Sequence, residues 1–345
     1  MSLINSFEPF VSVIIPTLNE ERYIGKCLES FVNQTYSKDK FEVLVFDGLS
    51  TDNTVNIVKN FSGKINLRIF ENRKVKHVFA LNEGIKQARG NFFVIVGGHS
   101  FVERDFLEKS VNTFIKVRES EPRLAAVGGS IEIVCENSFA RLVSLLFNSP
   151  FSGASGFWYS AKPSFVKTVA FGFYDKQIVE EVGCFDEDMI KGQDFELNLR
   201  LSKYGYKLYY DPDIKSYYYA RSNFKGFLKQ AFDNGAAKGL CIRKGYFNVL
   251  WFIPLGFVLY QLFLFGSFLC NLWMWLFAPF VFYWILNLLF SLNAPRKTRE
   301  KVFRPIMFWI LHNFTGIGFL AGLTIGKRMF QIHSLSAIIR KRYSW

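Results

Sequence analysis

Between Gly245 and Ala294 the chain carries no Asp, Glu, Lys or Arg. A helix needs about 20 apolar residues to cross the hydrocarbon core of a bilayer, so a gap of roughly fifty suffices for two crossings. They are expected near residues 248–269 and 272–292. A second uncharged run, Pro305 to Gly326, is long enough for a third, over about 305–326. The alternative is a buried pair of core helices, but runs this long without charge are rare in water-soluble folds. Trp251, Trp273, Trp275, Trp284 and Trp309 fall inside the runs, as suits residues that favour membrane–water interfaces.

Charge is distributed to match. The whole chain has 42 Lys and Arg against 29 Asp and Glu, a net +13. From Arg221 onwards there are 16 basic and 2 acidic residues, so the first 220 residues hold 26 and 27 and are close to neutral. Basic clusters bracket the runs: Arg243 and Lys244 before, Arg296, Lys297, Arg299, Lys301 and Arg304 between, Lys327 and Arg328 after. This is the pattern of contact with anionic lipid, and no nucleic-acid-binding motif accompanies it. The positive-inside rule keeps the loop around Arg296–Arg304 in the cytoplasm, which makes the first two spans a hairpin and leaves the N-terminal 220 residues cytoplasmic. No basic segment precedes an apolar stretch at the N-terminus, so no secretory signal is expected. A third full crossing would put the tail Arg340-Lys341-Arg342 outside, against the rule. Gly316, Gly318, Gly322 and Gly326 in that run suit either close helix packing or a re-entrant turn. Sequence leaves both open. The five cysteines (27, 135, 184, 241 and 270) are scattered, odd in number and form no C-x-x-C pair, which excludes a disulfide scaffold.

The division of the chain follows: residues 1–220 as a cytoplasmic domain, 221–247 as interfacial amphipathic helices, and 248–345 as a membrane domain of two to three spans with a basic tail. In the first part, short apolar stretches alternate with helical patterns. Val11–Ile15, Phe41–Phe46, Leu67–Phe70, Phe92–Val96 and Ala125–Val127 read as strands. Glu21–Asn33, Asp52–Phe61, Val78–Ala88 and Arg104–Val117 read as helices. Such alternation implies an α/β fold with a doubly wound, mainly parallel sheet. Ligands of such sheets bind beyond the carboxyl ends of the strands. The residues there are Pro16-Thr17-Leu18-Asn19-Glu20, Asp47-Gly48-Leu49-Ser50 and Gly97-Gly98-His99-Ser100. Neither G-x-G-x-x-G nor a Walker A loop is present, which argues against a dinucleotide enzyme or an NTPase.

Four stretches carry a resemblance. "VSVIIPTLNEERYIGKCLESFVNQTY", "FEVLVFDGLSTDNT" and "ALNEGIKQARG" resemble the nucleotide-sugar half of family 2 glycosyltransferases with the GT-A fold. "TVAFGFYDKQIVEEVGCFDEDMIKGQDFELNLRLSKYGYKLYYDP" resembles their acceptor half. Within the family, the chain is most similar to membrane-attached glucosyltransferases of succinoglycan and other exopolysaccharide assembly, from Val11 to about Gly326.

The resemblance implies roles. Asp47 matches the carboxylate that receives the uracil N3–H of a UDP-sugar, although Asp is also a good turn former. Asp52, at a helix start, reads as an N-cap. Pro16, Thr17 and Glu20 match the loop around base and ribose. Asp194, in "GQDFE", matches the catalytic base, and a carboxylate is needed there because a sugar hydroxyl is a poor nucleophile without a proton acceptor. Phe171 and Gly172 match the floor of the donor-sugar pocket. Gln230 and Lys238 match a stretch that closes over the donor diphosphate; with Lys225, Lys229, Arg243 and Lys244, Lys238 equally suits the lipid-facing side of an interfacial helix. Trp158 and Tyr159, in a Gly/Ser-rich loop, and Gln193 are candidate acceptor contacts.

One position departs from the family. Relatives carry D-x-D, or Asp-Gly-His, where this chain has Gly97-Gly98-His99. Two carboxylates normally hold the Mg²⁺ or Mn²⁺ that neutralises the departing diphosphate. His99 alone remains, a ligand better matched to Mn²⁺ than to Mg²⁺, and it equally suits a direct hydrogen bond to phosphate. A divalent metal is therefore an open cofactor at this point. The expected activity is inverting transfer of a sugar from a nucleotide-sugar, UDP-linked by the Asp47 match, to a hydroxyl of a lipid-linked saccharide. The expected partners are that donor, that acceptor and membrane lipids, not nucleic acid. Transfer to polyprenyl phosphate itself, or a silent sugar-nucleotide-binding protein that has lost its Asp at position 97, are the alternatives. A processive polymer synthase would need more spans.

Overall fold

A computed structural model describes residues 8–153, 162–189, 191–268, 276–293 and 298–326. Of these, 8–134, 162–187 and 193–219 form one compact unit. Residues 135–153, 188–189, 191–192 and 220–326 form a second.

The first unit is a sheet of nine strands among the described residues. Its parallel half comes from β1 (Val11–Thr17), β2 (Phe41–Asp47), β3 (Leu67–Glu71) and β4 (Phe92–Ile95). They lie side by side in the order β3-β2-β1-β4. β1 and β2 are buried at every position, as expected of parallel strands covered by helices on both faces. Alternate residues serve the two layers. Val11, Val13 and Ile15 pack with Ile24, Cys27, Leu28 and Phe31 of α1 (Ile24–Val32) and with Phe106 and Leu107 of α4 (Phe106–Ser120). Ile14 packs on the other side with Val78, Leu81 and Ile85 of α3 (His77–Gln87). The buried residues of α1 recur at i, i+3, i+4 and i+7, the stripe of a one-sided helix. Each large apolar side chain so buried stabilises the fold by about 1.5–3 kcal/mol. The helix α2 (Thr54–Lys59) is short.

The second half of the sheet is mixed. β8 (Phe173–Asp175) runs antiparallel between β4 and β6 (Leu124–Val134), and β9 (Lys207–Tyr219) runs parallel to β6. The far side of β9 takes β7 (Ser164–Val166) near its start and β5 (Ser100–Val102) near its end. The five strands and four helices expected from sequence are all present, most within a few residues, while the strand expected at Ala125–Val127 runs on to Val134. This is the doubly wound GT-A-type sheet that the sequence implies, with its antiparallel strands as an addition. Two further helices, α6 (Lys176–Glu181) and α7 (Gln193–Lys203), follow β8. The Arg200 guanidinium ties them together, donating to the Glu196 carboxylate and to the carbonyls of Val182 and Cys184.

The second unit is helical: α5 (Ser138–Phe147), α8 (Phe224–Arg243), α9 (Ile253–Phe268), α10 (Ala278–Leu292) and α11 (Thr298–Thr324). Leu142, Val143 and Leu146 of α5 pack with Phe227 and Ala231 of α8 and Met307, Phe308 and Leu311 of α11. The third uncharged run is one continuous helix, not a re-entrant turn, and its glycines serve close packing. A Cβ on Gly318 or Gly322 would lie 2.1 or 2.2 Å from the carbonyl oxygens of Phe232 and Ala236 in α8. Gly235 and Gly239 of α8 meet the α11 backbone in the same way. Two helical stretches, Val249–Ser267 and Val302–Thr324, are long and apolar enough to cross a membrane; α10, at 15 residues, is shorter. Only 11% of the first is buried, the reverse of a core helix. Gln261 joins α9 to α11, accepting from Trp309 Nε1 and donating to Asn313 Oδ1.

Candidate active site

Strand register gathers the predicted residues at one edge of the sheet. Thr17 pairs with Asp47, and Ile14 with Ile95, so the loops after β1, β2 and β4 leave from neighbouring positions. Because β8 is antiparallel to β4, its start lies beside the end of β4: Val94 pairs with Phe173. Phe171 and Gly172 therefore stand next to the turn that carries Gly97, Gly98 and His99. Adjacent strands are about 4.8 Å apart, so four strands bring these groups within reach of one small ligand.

The loops after β1 and β2 are stitched together. Asp47 is buried, and its carboxylate accepts the Ser50 amide (2.9 Å) and the Ser50 hydroxyl (2.5 Å). Ser50 Oγ in turn accepts the Asn19 amide (2.8 Å), and Asn19 Oδ1 accepts the Thr51 amide (2.8 Å). Asp52 accepts from the Thr54 hydroxyl and amide and from the Glu21 amide. Burial opposes its charge, yet the Thr54 and Glu21 hydrogen bonds hold its carboxyl below the usual range. Asp52 thus ties two loops as well as supporting the start of α2, for which Asn53 is the capping residue. Asn19 and Leu49 in these loops, Val75 after β3 and Phe171 before β8 all have positive φ, between 46° and 66°. Such conformations cost about 1–3 kcal/mol in a residue with a Cβ, and they concentrate at functional sites.

Pro16 and Thr17, expected in the loop after β1, are its last two residues. The Glu20 side chain, expected near base and ribose, instead meets His99: Oε1 lies 2.9 Å from Nδ1. A carboxylate on Nδ1 makes that nitrogen the N–H donor and, in the neutral ring, leaves the Nε2 lone pair open, the arrangement that orients metal-binding histidines. The His99 ring stands edge-on to Tyr218. Gly98 is packed tightly, since a Cβ there would lie 3.1 Å from Glu20 Cγ and 3.2 Å from Thr17 Oγ1. Gly97 has room: the nearest atoms to an added Cβ are 3.6 Å away. The hydroxyls of Thr17 and Ser100 are buried with no partner among the described residues. Those orphaned hydroxyls and the freed imidazole nitrogen fit a diphosphate, with or without a cation. No group of three His, Cys, Asp or Glu able to hold a metal occurs among the described residues, so an ion here would depend on the substrate's own oxygens for most of its shell.

At the start of α7, Gln193 is buried and Asp194 exposed. Solvent reaches Asp194, but burial of the carboxyl among dense protein pushes it above the usual carboxylate range, against hydrogen bonds from the Phe195 and Asp194 amides. Asp194 lies near Tyr174. Burial pushes that phenol up, and the negative charge of Asp194 adds to the shift. Tyr174 donates to Asn198 Oδ1 (3.0 Å), and Asn198 donates to Thr168 Oγ1 and the Val169 carbonyl. The Tyr174 ring lies under Gly172, where an added Cβ would be 2.5 Å from Cε2. The glycine at 172 is thus required by the phenol beneath it.

Gln230 and Lys238 lie on α8, in the second unit. Gln230 Oε1 is buried with no partner among the described residues, and burial pushes the Lys238 ammonium down. Trp158 and Tyr159 fall outside the described residues. Sequence places Asn19 and Ser50 in the loops beyond β1 and β2 without giving either a role, and it does not single out Tyr174 or Asn198; the D-x-x-S spacing of Asp47 and Ser50 is the signal that joins those two.

Comparison with known proteins bears on the whole chain. The family model described as Glycosyl transferase family 2 matches residues 12–183. The dolichyl N-acetyl-alpha-D-glucosaminyl phosphate 3-beta-D-2,3-diacetamido-2,3-dideoxy-beta-D-glucuronosyltransferase of Methanococcus voltae is 44% identical over 93% of this chain and 99% of its own length. Glycosyltransferase AglE of Haloferax volcanii is 32% identical over 72% of this chain and 82% of its own. The mannosyltransferase PcManGT of Pyrobaculum calidifontis, solved in complex with GDP-Man and Mn²⁺, has a TM-score of 0.59 at 18% identity, covering 91% of this chain and 88% of that one. At such low identity the likeness is one of fold.

Proposed function

Because this chain belongs to glycosyltransferase family 2 and is a glycosyltransferase, we propose that it moves a sugar, with inversion, from a nucleotide-sugar to a hydroxyl of a saccharide carried on a lipid phosphate. The observation that carries this reading is Asp194: a solvent-accessible carboxyl with raised proton affinity at the start of a helix anchored by Arg200. A base of raised pKa is a better proton acceptor for a sugar hydroxyl than an ordinary carboxylate. Asp194 takes the acceptor proton as the hydroxyl oxygen attacks the anomeric carbon, and the nucleotide diphosphate leaves from the opposite face.

The nucleotide lies across the ends of β1 and β2. Asp47, held by Ser50, accepts the base N–H, which favours a UDP-linked donor. The sugar rests over Phe171 and Gly172. His99 presents Nε2 to the diphosphate, and Glu20 fixes the ring. When a divalent ion is bound, His99 would be its protein ligand and the ion would supply charge neutralisation to the leaving group; Mn²⁺ suits an imidazole better than Mg²⁺. The relative from Methanococcus voltae points to an acetamido-substituted uronic acid as the sugar and to a lipid-phosphate-linked N-acetylglucosamine as the acceptor.

The exposed apolar sides of α9 and α10 and the two long apolar helices support an integral membrane protein. The basic loop at 296–304 and its flanks support a cytoplasmic catalytic domain. The division into catalytic, interfacial and membrane parts at about 220 and 247 belongs to the same reading.

The test is a donor panel of UDP- and GDP-sugars with lipid-linked acceptors, the full-length protein being held in lipid nanodiscs. Nucleotide release should require both a donor and an acceptor and should vanish in Asp194→Asn, while nucleotide binding persists. Normal turnover by Asp194→Asn would refute the assignment of the base. Nucleotide affinity without turnover on any acceptor would favour the silent binding protein.

A further inference from the structure

The start of α8 carries a group of cations that the chemistry above does not use. Asn223 caps the helix, its side-chain oxygen accepting the Gly226 amide at 2.8 Å. Arg221 lies against that turn, its Cδ 3.5 Å from the place a Gly226 Cβ would occupy. On the next turn Lys229 pairs with Asp233 at 2.7 Å; the lysine remains 61% exposed while the carboxylate is 12% exposed. Lys191, in the same compact unit, lies within the electrostatic reach of Asp233, Lys229 and Arg221. Lys191 thus has two cations and one carboxylate within its reach.

Such an arrangement has unmet positive potential. Lys191 is open to solvent, but the dense protein around its ammonium pushes it below its ordinary range; Asp233 opposes the shift, and the like charges of Lys229 and Arg221 add to it. A bound anion would relieve the repulsion and restore the charge that burial penalises. Phosphate is an anion that such groups hold well. An arginine fork and two ammonium groups match tetrahedral oxygens through charge-assisted hydrogen bonds, and the capped helix N-terminus adds a favourable dipole. The same unit contains the helices long enough to cross a bilayer, so a phosphate arriving here would be one attached to lipid. Lys191 also stands three residues from Asp194 in the sequence.

We propose that Lys191, Arg221 and Lys229 form the subsite for the phosphate that joins the acceptor saccharide to its lipid. The inference rests on the reading of the acceptor as a saccharide on a lipid phosphate.

The experiment compares two acceptors of one sugar, polyprenyl-phosphate-linked N-acetylglucosamine and octyl N-acetylglucosaminide, for the full-length enzyme in phosphatidylcholine nanodiscs. The readout is the ratio of kcat/KM for the phosphate-bearing over the phosphate-free acceptor. In Lys191→Gln and Lys229→Gln this ratio should fall ~10-fold or more, the range expected for a lost charge-assisted hydrogen bond. Lys191→Arg should retain it, which separates a charge requirement from a folding defect. An unchanged ratio in the Gln variants, or an equal fall with Lys191→Arg, would overturn the subsite. A loss seen only when phosphatidylglycerol is added would overturn the assignment to the acceptor and give the cluster to bilayer headgroups. A wild-type enzyme that uses neither acceptor with any donor would overturn the acceptor reading itself, and the subsite with it.

Discussion

His99 and Glu20, 79 residues apart in the sequence, are joined by a 2.9 Å contact between Nδ1 and Oε1. The consequence is a nitrogen site of fixed orientation. Removing the orienting carboxylate of such a pair typically costs about 10- to 100-fold in metal affinity or activity. Glu20→Ala is therefore expected to lower kcat ~10-fold or more, and His99→Ala further, with smaller changes in acceptor KM. Steady-state kinetics with Mn²⁺, with Mg²⁺ and with chelator provide the check. Activity that chelator leaves untouched would show that His99 meets phosphate directly.

Gly97 makes the metal question adjustable. An added Cβ at this position meets only ordinary van der Waals neighbours at 3.6 Å or more, so Gly97→Asp should fold and restore a carboxylate two residues from His99. Tighter Mn²⁺ binding is expected, measured by titration calorimetry on the purified protein. Gly98→Ala should do the opposite, because its Cβ would crowd Glu20 and Thr17 and dislodge the carboxylate from His99. If both variants bind the ion alike, the Gly97–His99 turn is not its site.

Asp194 sets a pH dependence with a defined sign. Its folded-state proton affinity is raised, so activity should fall on the acid side with an apparent pKa above the ordinary carboxylate range. In the same residue, stability is fully present below the unfolded-state pKa and is lost as pH rises through the folded-state value. At neutral pH the ionised Asp194 is thus a destabilising group. Asp194→Asn should lower kcat about 10²- to 10⁴-fold while raising the Tm at neutral pH, and the Tm gain should shrink in acid. Thermal unfolding at three pH values would decide this, and a Tm that drops at neutral pH would contradict it.

How much of this was legible beforehand follows from where each residue sits. β1, β2 and β4 announced themselves because strands buried on both faces read as nearly continuous apolar runs, broken only by Ser12 and Glu42, and the loops after them then named Asp47 and His99. β9 stayed hidden. Its "KLYYDPDIKSYYY" contains Pro212 and a register shift against β6 between Gly129 and Ser130, so no single period runs through it. Ser50 gave little sign because a serine in a polar turn is ordinary; only the structure puts its hydroxyl between Asp47 and Asn19. The partner of Glu20 was equally illegible, since 79 residues separate it from His99 and only the pairing of β1 with β4 brings them together. Glycine spacing in α11 was visible, but which of its two readings applied depended on that helix being continuous; its partners Gly235 and Gly239 in α8 were not marked.

Ser50 offers a test of donor binding apart from chemistry. Its hydroxyl donates to Asp47 and accepts from Asn19, so Ser50→Ala removes both bonds and loosens the two loops. A neutral hydrogen bond contributes about 0.5–1.5 kcal/mol, and one to a charged group about 1.5–3. Ser50→Ala should weaken UDP binding ~10-fold, and Asp47→Asn by at least as much, with kcat at saturating donor little changed. A loss confined to kcat would move Asp47 out of the base-binding role.

The crossing of α8 and α11 makes the most severe structural prediction. At Gly235 an added Cβ would lie 2.0 Å from the Thr315 carbonyl oxygen, and at Gly322 2.2 Å from that of Ala236. Neither neighbour can rotate away, because both are helix backbone, so the helices must separate. Overpacking of this kind costs about 1–3 kcal/mol, and separation also opens the contacts of Phe308 and Leu311 with Phe227. Gly235→Ala and Gly322→Ala should each lower the Tm in nanodiscs. Gly256→Ala, at a helical glycine whose Cβ would meet nothing within 4 Å, should not. Equal Tm values for the three variants would mean that the two helices do not pack backbone to backbone.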